Sequence, residues 1–451
     1  MFKKNSIIIL LLEIAIALYY GSVRIENASH IRYAREFGDT QDYLHNASLS
    51  VLDPTFWVDA RPPVTAFFWK AVNSDPDSIH TLQLYFSILC WVVFAFALSA
   101  TITGLLLKPL AFALAVMFSL SRDIFMWDAF LGSESIGLSF LTLFLATALW
   151  TMQEWKPYKF ATLTITALLL ALTRDTYAYL LIMVALINIP VFWMGKYRNV
   201  AVAVSFMLIT VFAISTNLAK TGLRPYRAVL MNVALRVYPK EEYTNYFRKH
   251  GMPVEERLVN QARGLVNPTH PLASGEKFTV YLELESGKDQ ETFRQWAMTR
   301  GNTEYIKFLW FFKEETLQSV FTETAGPSFS PDVYYYTATG YRPIIKSKRL
   351  TEILYPARFG LLLFFAANLI AACLAAIAWY EKKSDWYISL LMVLLSYPQA
   401  VLVWAADVND VARHSIYYNV LLRLGMWMLF FYITDWMILK IFKRSQLPSD
   451  G

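Results

Sequence analysis

About ten stretches of this chain are apolar over roughly the 20 residues a helix needs to cross a bilayer, and they leave little freedom in what it can fold into. They read approximately as 5–21, 82–104, 106–120, 135–152, 159–173, 176–195, 199–217, 354–379, 385–405 and 415–441. In hydrocarbon each backbone N–H and C=O must be satisfied within its own segment, so these stretches predict helices. The expected fold class is an all-α polytopic membrane protein. A soluble domain would be nearer 45–50% apolar, whereas 56% of this chain is hydrophobic and 16% aromatic.

The connections differ in charge. One set is basic: Lys3 and Lys4, Lys108, Lys156 with Lys159, Lys196 with Arg198, Lys382 and Lys383, then Lys440, Lys443 and Arg444. The other set is acidic or mixed: Gly38 to Tyr43, Arg122 to Glu134, Arg174 with Asp175, and Asp407 to His414. The positive-inside rule assigns the first set and both termini to the cytoplasm and the second set to the far side. Topology thus accounts for much of the formal charge of +6, and nucleic acid is not an expected partner. Glu13 interrupts the first apolar stretch and Tyr19 to Ser22 makes a poor cleavage site, so that stretch reads as a retained helix. A carboxyl within a span is expected to face the bundle interior and find a partner there.

Two connections are long. The first external loop, 22–81, carries an acidic motif and then the aromatic-rich run Phe56 to Lys70, which suits juxtamembrane helices lying at the interface. The second, 218–353, is a large polar extracytoplasmic loop. It has helix-like patterns over Tyr226–Val237 and Asp289–Lys313, and turn signals at Asn267-Pro268, Gly326-Pro327 and Ser330-Pro331. The chain therefore divides into an N-terminal transmembrane module (1–217), this loop, and C-terminal transmembrane helices (354–451).

The reactive residue types gather in the acidic connections. Asp39 and Asp42 are three apart, so a helix would place both carboxylates on one face, with Tyr43 beside them. Such a pair serves either as a general base or as oxygen ligands for a divalent cation. Arg61 precedes Pro62-Pro63, which disfavour a continuing helix, and a guanidinium at headgroup level suits a phosphate. Glu134 opens a span as either a helix-capping carboxylate or a reacting one. Arg174 stands at a span end, and Arg413 with His414 precedes the last span, all donors suited to phosphate oxygens. A hydroxyl acceptor needs a base and a departing phosphate needs cationic stabilisation; these connections hold both.

In order and membrane side these motifs resemble the GT-C glycosyltransferases, polytopic enzymes that use polyprenyl-phosphate-linked sugars, and within them the branch of protein O-mannosyltransferases and lipid A aminoarabinose transferases. The matching elements are Gly38-Asp39-Thr40-Gln41-Asp42-Tyr43 after the first span, Arg61-Pro62-Pro63, Gly132-Ser133-Glu134-Ser135, Leu172-Thr173-Arg174, and Arg413-His414 before a late span. Familiar members often pair Asp with Glu in the first loop, where this chain has Asp39-Thr40, and the large loop has no counterpart among the motifs. The resemblance implies a GT-C-like bundle in the bacterial inner membrane and a polyprenyl-phosphate-linked sugar donor. It further implies a lipid, glycan or protein hydroxyl as acceptor, and inversion at the anomeric carbon. Asp39 would be the catalytic base, with Asp42 or Glu134 orienting the acceptor or holding a divalent cation. Tyr43, Arg61, Arg174, Arg413 and His414 would bind substrate. The competing expectation is a transporter or flippase of a lipid-linked glycan, which would concentrate polar groups near the bilayer midplane.

Overall fold

A computed structural model describes residues 2–29, 36, 39–188, 198–265, 274–323, 354, 366, 369–370, 373–374, 386–406 and 411–445. The described elements are helical, with no β-strand among them. In chain order they are α1 (Phe2–Ser29), α2 (Thr40–Ser48), α3 (Pro54–Val58), α4 (Pro63–Lys70), α5 (Pro76–Thr101), α6 (Leu107–Ser119), α7 (Arg122–Phe125), α8 (Glu134–Gln153), α9 (Pro157–Ala171), α10 (Asp175–Ile187) and α11 (Arg198–Thr221). They continue with α12 (Arg224–Asn232), α13 (Glu241–Lys249), α14 (Glu256–Leu265), α15 (Ser274–Ser286), α16 (Glu291–Trp296), α17 (Asn302–Phe311), α18 (Lys313–Glu323), α19 (Tyr387–Ala406), α20 (Val411–His414) and α21 (Ile416–Ser445). Among the described residues 6 helices are long and apolar enough to span a membrane: α1 (from Ser6), α5, α8, α11, α19 and α21 (to Ile441). Three shorter apolar helices, α6, α9 and α10, accompany them. These features make the chain an integral membrane protein. The expected span at 354–379 falls almost entirely outside the described residues, as do Gly38, Asp407 to Asp410 and the turn signals at Asn267, Gly326 and Ser330.

The described helices at the expected spans begin and end within about four residues of expectation, with three exceptions: α5 starts six residues early, α10 is described only to Ile187 against an expected 195, and α1 runs on to Ser29, eight residues past the end of its apolar stretch. Arg24 explains the last of these. Its guanidinium is buried and ion-paired with Asp128, donates to the Ser119 carbonyl (2.8 Å) and Ser87 (2.9 Å), and lies against the Tyr20 ring. A charge neutralised inside the bundle need not end a helix, although hydropathy alone treats it as a boundary. Glu13 is buried, and Ser99 donates to its carboxylate.

The described residues within 1–216, 332–397 and 416–451 form one compact unit. In it α5 packs along α8 and α6, α1 crosses both α5 and α6, α9 covers α8, and α21 meets α6. Local chemistry sets the helix starts. Asp75 accepts from the Ser78 N–H (2.9 Å) with Pro76 at the first helical position of α5, and Asp53 caps α3 through the Thr55 N–H (2.9 Å). Pro62 precedes α4 and Pro63 begins it, so the two prolines separate α3 from α4, as expected, and start the second helix.

The second unit comprises 217–331 with 398–415. Its core joins Leu230, Val233, Val237, Phe247, Leu258, Leu284 and Phe308. Arg236, on a π-helical turn (Val233–Val237), and Asn232 belong to this unit together with the end of α19. Arg236 donates to the Trp404 carbonyl (2.7 Å) and stacks 3.6 Å over the Trp404 ring, and Asn232 donates to the Ala406 carbonyl (3.4 Å). The Tyr305 hydroxyl accepts from Arg236 (2.6 Å) and lies 3.1 Å from the Ala405 carbonyl. Three carbonyls that a helix end leaves without intrahelical partners thus meet donors from a distant part of the chain.

Candidate functional site

In the first unit, backbone and hydroxyl bonds bring four of the sequence motifs to one place. The Val64 N–H donates to the Leu172 carbonyl (3.1 Å), tying Arg61-Pro62-Pro63 to the turn that carries Arg174. Thr40 donates through its hydroxyl to the Leu131 carbonyl (2.7 Å), tying the acidic motif to the segment leading into Glu134. That segment is itself fixed: Gln83 donates to the carbonyls of Asp128 and Phe130 (2.9 Å each), and Ser135 donates to Asp128 (2.6 Å). Lys70 holds α2 onto α4 by donating to the carbonyls of Ala47 (3.0 Å) and Leu49 (2.8 Å), and Asn46 donates to that of Arg61 (3.4 Å).

Within this frame Arg61 bridges the two aspartates. Nη2 donates to Asp39 at 2.6 Å and Nε to Asp42 at 3.0 Å. The carboxylates share a face, as their spacing requires, and all three side chains are partly open, 21%, 39% and 33% exposed for Asp39, Asp42 and Arg61. Burial pulls the Arg61 guanidinium down, but Asp39, Tyr43 and Asp42 more than offset it and hold it above the ordinary arginine value.

Glu134 and Arg174 form the second pair, at 2.6 Å, and are far less exposed, with the Glu134 side chain at 2%. Glu134 occupies the first turn of α8, where the helix dipole favours a carboxylate, and its oxygen is used on Arg174. Arg174 also donates to the Tyr417 hydroxyl (2.7 Å), and Tyr177 meets the Tyr417 ring edge-on at 4.8 Å.

Tyr43 joins the two pairs. It is buried against Trp69, bonded to Ser133, and lies in the fields of both Arg61 and Arg174. Burial pushes its phenol up; the two guanidiniums pull against that, and the net shift is upward. Asp39 and the two guanidiniums therefore bear on one neutral phenol, with Asp42 held by Arg61 on the open side and Glu134 held by Arg174 on the closed side. A carboxylate of this kind can accept a proton from a hydroxyl, and guanidiniums can stabilise an anion leaving beside it.

A divalent cation does not fit the acidic pair as it stands. Arg61 already donates to both carboxylates, and no group of three or more His, Cys, Asp or Glu suited to a metal occurs among the described residues. The positive charge between Asp39 and Asp42 is supplied by the chain itself.

Arg413 and His414 belong to the second unit. Both are buried on α20, and Arg413 Nη2 lies 2.9 Å from His414 Nε2, so with the guanidinium donating, Nε2 is the accepting nitrogen.

Sequence reasoning did not single out Tyr417 or Tyr177, and it named Ser133 only as part of the motif around Glu134. Tyr417 had a readable signal, since Tyr417, Tyr418 and Asn419 put polar atoms into the first turn of a span directly after Arg413-His414. Comparison with known proteins adds no family: no protein-family model matches the chain, and no curated protein matches it.

Proposed function

We propose that the chain is a GT-C-type glycosyltransferase that moves a sugar from a polyprenyl-phosphate carrier to a hydroxyl acceptor on the extracytoplasmic face of the membrane. The observation that carries this reading is that the Asp39–Asp42–Arg61 group and the Glu134–Arg174 pair both bear on the Tyr43 phenol, although these residues come from four separate stretches of sequence. Asp39 takes the acceptor hydroxyl proton as the acceptor oxygen bonds the anomeric carbon. The bond from that carbon to the phosphate oxygen breaks on the opposite side, and its electrons leave with the polyprenyl phosphate, giving inversion. Arg61 orients Asp39, while Arg174, held by Glu134 and Tyr417, offers positive charge to the departing phosphate. The assignment of Arg413 and His414 to that phosphate rests on their donor chemistry and their place in the motif order.

The test is transfer from a radiolabelled polyprenyl-phosphate sugar in reconstituted liposomes. Wild type should label an acceptor, and Asp39→Asn should lower turnover by roughly 10²–10⁴-fold, the usual worth of a general base. Equal turnover in Asp39→Asn would remove Asp39 from the reaction. Carrier crossing the bilayer with no acceptor labelled would replace the transferase with a flippase.

A further inference from the structure

The second unit buries one aromatic surface of α17 and leaves another uncovered. Tyr305 and Phe308 face its core, 6% and 1% exposed, while on the same helix Ile306, Trp310 and Phe311 are 60%, 75% and 68% exposed. Residues four apart share a helix face, so Ile306 and Trp310 form one stripe that Phe311 widens. Leu317 on α18 is exposed as well. Lys307 stands in the stripe, and the Lys313 ammonium lies 5.4 Å from the centre of the Trp310 ring. Scattered exposed apolar residues are ordinary, but adjoining large aromatics on one helix mark a surface that is covered in use.

Tyr305 fixes where that surface stands. Its hydroxyl is 3.1 Å from the carbonyl of Ala405, one residue before the end of α19, a helix long and apolar enough to span the membrane. The Ala405 carbonyl thus stands at one end of a helix of membrane-spanning length. Trp310 follows Tyr305 by five residues, about 7.5 Å along a helix axis. The headgroup layer on each side of a bilayer is roughly 5–8 Å deep, which is where tryptophan collects.

We propose that the Ile306–Trp310–Phe311 face of α17 docks on the lipid bilayer beside the end of α19, with its rings at the boundary of headgroups and acyl chains and Lys307 and Lys313 at the phosphates. Lys307 is paired with Glu304 at 2.9 Å, so the contact depends on aromatic and apolar burial more than on charge and needs no anionic lipid. The second unit is then a surface-bound body rather than one suspended in water by its connections. This inference stands apart from the transferase reading and needs no activity to test.

The test uses the full chain with Cys90 and Cys373 replaced by serine and one nitroxide label at a time, introduced as Ile306→Cys, Trp310→Cys, Phe311→Cys or, as a solvent control, Glu291→Cys. In phosphatidylcholine vesicles, paramagnetic resonance should show the first three labels several-fold more accessible to oxygen than to a water-soluble nickel complex. The Glu291 label should show the reverse. Nickel accessibility at 306, 310 and 311 equal to that at 291 would overturn the proposal. So would dipolar broadening that vanishes on dilution with unlabelled protein, because a second copy would then cover the face. Three independent label sites keep the result readable if one substitution disturbs folding.

Discussion

Arg24 and Arg61 each grip an aspartate in the same unit, and their surroundings set them apart. Arg24 and Asp128 are sealed at 1% and 4% side-chain exposure, and their partners are Ser87, Tyr20, the Ser119 carbonyl and Ser135. Arg61 reaches two aspartates and leaves all three side chains partly open. A sealed pair has given up its hydration, so removing one member strands the other, whereas an open pair exchanges one polar neighbour for water. The first arrangement holds the bundle together. The second leaves its carboxylates within reach of solvent.

Four changes would break or sharpen that contrast. Arg24→Gln strands Asp128 and should destabilise the protein by about 3–5 kcal/mol, read as a fall in Tm in detergent, with little folded protein recovered. Arg61→Gln removes the same group from the open site, where exposed pairs are worth about 0.2–1 kcal/mol. Its Tm should stay near wild type while transfer falls; an equal loss of Tm in both variants would erase the distinction. Tyr43→Phe should act at alkaline pH. The folded state raises the Tyr43 phenol, so its contribution is fully present below about pH 10 and is lost as pH rises through the folded value. Unfolding measured from pH 8 to 11 should therefore show wild type losing stability more steeply than Tyr43→Phe. Smallest is Asp75→Asn at the start of α5. Bonds from Ser78 lower the Asp75 carboxyl, so its contribution is present above the usual aspartate range and is lost as pH falls through the folded value. The variant should flatten the acid limb of Tm against pH slightly.

What could be read from the sequence follows from the range over which each signal acts. Hydropathy is a sum over neighbours, so spans such as α8 and α19 lie within two residues of expectation. The Asp39–Asp42 face follows from a three-residue spacing, and the site motifs are short runs of charge beside apolar stretches. Partnerships across the fold leave no such trace. Tyr417 reaches Arg174 from 243 residues away, and Asp128 reaches Arg24 from 104. The polar loop shows the same limit. Its patterns around Tyr226–Val237 and Asp289–Lys313 correspond to α12 and to the segment through α17, while α13, α14 and α15 had no comparable signal. Tyr243, Phe247, Leu258 and Leu284 reach the shared core from these short helices, where few apolar positions establish a period.

The clamp at the end of α19 bears on how this protein can be shortened, and on how it can have grown. Arg236, Asn232 and Tyr305 complete a helix end that lies far along the chain from all of them. Excising 217–331 would take all three donors away and leave the carbonyls of Trp404, Ala405 and Ala406 to find water for themselves. The segment sits in the sequence like a cassette between spans, yet it is not interchangeable like one. A shorter relative lacking it would have to end this helix by other means, with its own donors or an earlier stop.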